Sequence, residues 1–132
     1  MEEIVEYQIN KICENNNWQY LTEVTKSKLD KEWGMDLIIK ESNKRLDFAV
    51  KTTTQIFLIE TNFYNASGSK LKATANEYRK VWNSYGHSFI WITDGPGWHS
   101  DNSLKEAFDD IDHVINLHMA QNGVLKAILD SA

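Results

Sequence analysis

Two apolar runs separated by a short polar turn, between Arg45 and Phe63, set the tightest limit on what this chain can fold into. Leu46, Phe48 and Val50 alternate with Asp47, Ala49 and Lys51, the period-two pattern of a half-buried strand. Thr52 to Gln55 make the turn. Ile56 to Phe63 follow as a nearly continuous apolar strand, which predicts burial on both faces. Side chains two apart on a strand point the same way, so Glu60 and Asn62 share one face. The hairpin thereby brings Asp47, Glu60 and Asn62 to one end of a sheet.

The rest of the chain supplies layers for that sheet. Residues 2–15 carry Ile4, Val5, Ile9, Ile12 and Cys13 at helical spacing and end in Asn15-Asn16-Asn17. Trp18 to Val24 predicts a short strand, Lys26 to Glu32 a polar helical turn, and Gly34 a break before Met35 to Ile39. Asn65 to Ser69 read as a loop, and Lys70 to Ser84 as a helix with Leu71, Ala75, Tyr78 and Trp82 on one side. Ser88 to Thr93 predict a third core strand, closed by Asp94-Gly95-Pro96-Gly97. Ser103 with Glu106 matches a capping box. His113 to Leu117 read as a further short strand and Val124 to Leu129 as a last helical segment. Helix, strands, helix, strand, helix, strand, helix is the order of an α/β fold: a mixed central sheet flanked by helices, in one domain spanning residues 1–132.

Composition narrows the class. At 132 residues, 42% hydrophobic and 25% charged, the chain has the size and balance of one globular domain with its own core. Its apolar runs are too short to cross a membrane, and the acidic start MEEIVEYQI lacks the apolar stretch of a secretory signal. A single cysteine, Cys13, excludes an intramolecular disulfide and any cysteine-rich metal site, and it fits the core. A cytoplasmic location follows as the expectation. The net charge of −5 argues against a nucleic-acid partner, but its distribution argues for one. Seven acids and two lysines between Asp94 and Ala132 account for the whole deficit. Between Lys40 and Lys80, eight basic residues face four acids, two of them Asp47 and Glu60. Cations are thus concentrated around the hairpin, as phosphate neutralisation requires.

The hairpin carboxylates are the chemical candidates. Glu60 sits in IFLIE, where an ionised carboxylate is costly unless a cation or hydrogen-bond donors compensate it. Mg²⁺ suits that need, since it takes one or two carboxylates, a carbonyl and several waters; the carbonyl of Thr61 lies between the two polar side chains. The bland alternative is that Asp47 pairs with Arg45 or Lys51 and that Glu60 merely ends a strand. A carboxylate pair alone is a weak signal.

The surrounding segments are more specific. RLDFAVKT, IFLIETNFYNASGSKLKATANEYRKVW and FIWITDGPGWHSDNSLKEAFDDIDHVINL, in that order, resemble the catalytic half of the DpnII/MboI group of type II restriction endonucleases, over about Val5 to Leu125. That group belongs to the PD-(D/E)XK nuclease superfamily. The resemblance implies Mg²⁺-dependent hydrolysis of duplex DNA at the palindrome GATC by a metal-activated water. It implies Asp47 and Glu60 as metal ligands and sets Asn62 where lysine usually stands; the Thr61 carbonyl is the candidate for a further ligand from the strand pattern itself. An amide cannot act as a base near neutral pH, but it can hydrogen-bond and position a water. Lys70, opening a helix whose N-terminus favours an anion, is the candidate to replace the missing charge.

Other candidates are weaker in pattern. Lys72, Arg79 and Asp94 are read as DNA contacts, with plain surface, or for Asp94 the capping of local backbone amides, as the alternative. Glu3 and Glu6 of the first helix are candidates for an additional acid, Glu6 foremost. Cutting both strands of a palindrome calls for two sites related by a two-fold axis, hence a homodimer. The enzymes of the group are about twice as long, with an added N-terminal region that helps recognise DNA, so in an excised domain or a natural short relative the metal site can be intact while GATC selectivity is weakened or lost. Two readings compete with the nuclease: a DNA-binding or regulatory module that keeps the fold without cleaving, and a nuclease of other specificity.

Overall fold

The computed structural model describes residues 2–34, 45–63, 76–80, 88–95, 109 and 111–131. Helix α1 spans Glu2–Asn16 and turns Val5, Ile9 and Cys13, four residues apart, onto the sheet. It stops at Asn17, whose φ of 57° lets the Trp18 N–H reach the Cys13 carbonyl at 3.0 Å, the αL termination that glycine usually provides and asparagine tolerates. Strand β1 (Gln19–Val24) leads to α2 (Lys26–Trp33), capped by the Thr25 hydroxyl, which accepts from the Lys28 amide at 3.1 Å. Gly34 closes α2 at φ 62°.

Strands β2 (Leu46–Lys51) and β3 (Ile56–Phe63) form the expected hairpin. In its turn the Thr52 amide donates to the Gln55 carbonyl at 2.9 Å. Strand β4 (Phe89–Asp94) and the short β5 (Val114–Ile115) complete a five-stranded sheet in the order β1-β2-β3-β4-β5. The β1-β2-β3 part is antiparallel, and β3-β4-β5 is parallel. The mixed sheet flanked by helices is the fold that the patterning predicts.

Two hydrophobic layers cover its faces. Phe48, Val50, Phe57, Ile59, Ile90 and Ile92 pack under α1 and the C-terminal helices α3 (Leu117–Gln121) and α4 (Val124–Asp130). On the other face Ala49, Leu58, Phe89 and Trp91 pack with Leu29 of α2 and with Tyr78, which lies in a helical segment at residues 76–80.

Two expectations are corrected. Strand β2 is buried on both faces rather than half-buried, because the small Ala49 packs into the second layer with no exposure. Its alternation also breaks near Asp47: Leu46 packs with Ala49 rather than with Phe48 and Val50. Opposite Asp47, between the Thr22–Phe48 and Val24–Leu46 pairs, Glu23 has φ 48°, a conformation that distorts the strand edge. Secondly, the strand expected over His113–Leu117 is two residues long, because the Asn116 side chain accepts from the Met119 amide at 2.8 Å and starts α3. The expected segments at Met35–Ile39, Asn65–Ser69 and Ser103–Glu106 lie outside the described residues.

Among the described residues no helix is long and apolar enough to cross a membrane. Cys13 is 3% exposed, and burial pushes its thiol up to about 11. An acid whose folded value is raised makes folding less favourable as pH climbs, because the unfolded chain ionises first. Stability is therefore expected to fall between about pH 9 and 11, and Cys13→Ala to flatten that part of the curve in urea titrations. Iodoacetamide at pH 8 should label the native thiol far more slowly than the denatured one.

Candidate active site

The β2–β3 register runs from Lys51–Ile56 to Phe48–Ile59. One step further the strands are joined through carboxylates. The Asp47 amide donates to Glu60 Oε1 at 2.8 Å, while the Thr61 amide and hydroxyl donate to Asp47 Oδ2 at 2.9 and 2.8 Å. Each acid therefore holds the backbone of the strand bearing the other, and both are fixed at the end of the hairpin. Glu60 is 7% exposed. Its Oε2 accepts from the Tyr78 hydroxyl at 2.6 Å, so hydrogen-bond donors compensate the buried charge that the IFLIE sequence made costly.

Asn62 lies two residues beyond Glu60 on the same strand, and its Oδ1 accepts from the indole N–H of Trp91 at 2.7 Å. Trp91 is fully buried and stands beside Glu60 in the parallel β3–β4 register. Tyr78 meets Trp91 edge to face, with ring centroids 4.9 Å apart. Neither ring was recognisable as part of the site in the sequence, where both read as core. The available signal was that a buried Tyr or Trp needs a partner for its polar tip.

Glu2 of α1 also lies beside Asp47. Partial desolvation of this otherwise exposed residue, then the charge of Asp47 and a hydrogen bond shared with it, raise the Glu2 carboxyl above its ordinary value. The Glu6 carboxylate instead accepts from the Tyr20 hydroxyl at 3.2 Å. Among the described residues, no three His, Cys, Asp or Glu side chains are placed to hold a metal ion together.

Arg45 forms an exposed ion pair with Glu23 at 3.7 Å, and Lys51 sits at the opposite end of β2 from Asp47. Asp94, at the end of β4, accepts from the amides of Gly95 at 2.8 Å and Leu117 at 3.1 Å, which is the amide-capping alternative. Arg79 is half-buried beside Tyr78, with Nη1 3.3 Å from Asn76 Oδ1. Lys70 and Lys72 lie outside the described residues. A cleft of about 410 Å³ lies at the other end of the hairpin, lined by residues that include Lys51, Gln55 and Ser88 and remote from these carboxylates.

Residues 1–127 match the family model described as DpnII restriction endonuclease. The chain belongs to the DpnII restriction endonuclease family. It is 45% identical to the type II restriction enzyme MjaIII of Methanocaldococcus jannaschii, over 98% of this chain and 48% of that protein. It is 36% identical to LlaDCHI of Lactococcus lactis subsp. cremoris, over 98% of this chain and 45% of the relative. With DpnII of Streptococcus pneumoniae the identity is 35%, over 79% of this chain and 39% of the relative. The chain thus spans about half the length of the first two relatives. No solved structure matches it. Within the DpnII family, the mixed sheet and its flanking helices are the restriction-endonuclease-like core.

Proposed function

We propose that this chain is the catalytic centre of a type II site-specific deoxyribonuclease: a Mg²⁺-dependent endonuclease that hydrolyses phosphodiesters of duplex DNA, with GATC as its target. The observation that carries the reading is the cross-strand bonding at the end of the hairpin, Asp47 amide to Glu60 carboxylate and Thr61 amide to Asp47 carboxylate, with Asn62 two residues on from Glu60. Membership of the DpnII family and the names of the relatives support it.

The donor set suits a hard divalent cation. It consists of two carboxylates and a main-chain carbonyl, with no histidine or cysteine among them, and Mg²⁺ takes one or two carboxylates and completes its octahedron with water. Asp47, Glu60 and the Thr61 carbonyl would hold it, with Glu2 as a further acid beside Asp47. A bound cation would supply Lewis-acid charge for the phosphoryl oxygens and lower the pKa of water. The chain's own groups do the remaining work. Tyr78 and the Asp47 amide keep Glu60 oriented, and Thr61 keeps Asp47 oriented. Asn62 positions the attacking water by hydrogen bonding, without acting as a base. Lys70 is proposed as the cation that offsets phosphate charge, with Lys72 and Arg79 along the DNA backbone. Asp94, which holds two local amides, is proposed as a further DNA contact. A homodimer would present two such centres to a palindrome. The setting would be cytoplasmic.

Digestion of linear duplex DNA with Mg²⁺ or with EDTA tests this. Discrete fragments ending at GATC, absent with EDTA and blocked by N6-methyladenine in that sequence, are the expected result. Tight binding without cutting would favour a DNA-binding module, and random fragmentation would remove the sequence-specific part.

A further inference from the structure

An indole N–H is a donor only, so the Asn62 atom that faces Trp91 at 2.7 Å is necessarily the carbonyl oxygen. The amide is planar, and its two remaining N–H donors are therefore directed away from the aromatic pair. A side-chain amide without such a partner can present either end to its surroundings at similar steric cost. Only the N–H end attracts phosphate or the lone pair of a water; the carbonyl end repels phosphate oxygens. The partner that makes the choice is itself immobile, since Trp91 is fully buried and held edge-on by Tyr78, the residue that also binds Glu60.

We infer that Trp91 is a positioning residue acting through Asn62. Its indole N–H holds the amide so that N–H donors, the part of an asparagine that most resembles a lysine ammonium, meet the scissile phosphate or its attacking water. The inference rests on the nuclease reading above. Tyr78 and Trp91 then form one aromatic shelf whose two polar tips orient Glu60 and Asn62 together.

Steady-state cleavage by the full chain, by Trp91→Phe, by Asn62→Ala and by the double variant tests it. The expected result is a roughly tenfold to hundredfold fall in kcat with KM little changed for Trp91→Phe. No further loss is expected when that change is added to Asn62→Ala, since the two act as one unit. Losses that multiply in the double variant would overturn the inference while leaving the nuclease reading intact. A parent protein inert with Mg²⁺ would overturn the reading itself. Asn62→Asp covers the case in which Trp91→Phe fails to fold. It keeps the acceptor for Trp91 but replaces the outward N–H donors with an oxygen, so it should stay folded, melting somewhat below the parent from the added charge, and cut at least as poorly as Asn62→Ala. Parent-like cutting by Asn62→Asp would sink the proposal. In NMR spectra the Trp91 indole proton should move upfield in Asn62→Ala, and an unmoved resonance would show that the bond is absent in solution.

Discussion

Asp47→Asn is expected to cut DNA at least about a thousandfold more slowly than the parent, and to melt no lower in metal-free buffer. The kinetic part follows from removing one of the two anionic ligands proposed for the cation: three decades in rate correspond to about 4 kcal/mol of transition-state stabilisation, the scale expected of metal-assisted chemistry. The stability part follows from the bonds. Asparagine Oδ1 can still accept from the Thr61 amide and hydroxyl, as Asp47 Oδ2 does. Its Nδ2 can donate to Glu2, whose carboxyl now suffers the charge of Asp47. Like charges gathered for a cation are a burden on the fold when the cation is absent. Calorimetric melting beside single-turnover cleavage reads both halves. A variant that unfolds early and, where folded, cuts like the parent would show that Asp47 serves the fold alone.

Glu60→Ala should lose cleavage to a similar degree but move stability the other way. Here the truncation removes the acceptor of the part-buried Asp47 N–H and of the buried Tyr78 hydroxyl, and losing such a bond from a buried donor costs about 1–3 kcal/mol. Relief of charge crowding acts in the opposite direction. Because Glu60 is only 7% exposed, water cannot readily replace it, and the lost acceptors dominate. A fall of several degrees in the melting midpoint is therefore expected without metal. Two acids of one site that agree in kinetics and disagree in stability would be hard to reconcile with a merely structural pair.

Much of this arrangement was legible in the sequence because it is local. The strand-forming run from Leu46 to Val50, the turn at Thr52 and the two-residue spacing of Glu60 and Asn62 are short-range patterns, and the strands form where they predict, although β2 does not keep its period-two faces. The partners of those residues depend on register between distant strands. Trp91 is 29 residues from Asn62, and only the parallel β3–β4 alignment sets them together. Ser88 to Thr93 read as plain core, since nothing in one strand tells which way an indole N–H will face. Glu2 illustrates a signal that was present and unused. It lies three residues before Val5 and seven before Ile9, on the stripe that α1 turns to the sheet, whereas Glu6 falls beside that stripe and reaches Tyr20 instead. The short β5 and the helix after it were misread for another local reason: the capping role of Asn116 competes with a β-rich stretch, and the cap prevailed.

The most direct test of the whole account is a Mg²⁺ titration of supercoiled-plasmid cleavage by the parent protein and by Glu60→Ala. Cutting that rises with Mg²⁺, vanishes in EDTA and is absent from Glu60→Ala at every concentration is the predicted result. Cleavage that survives either EDTA or the loss of Glu60 would contradict a metal-dependent centre at the end of the Arg45–Phe63 hairpin.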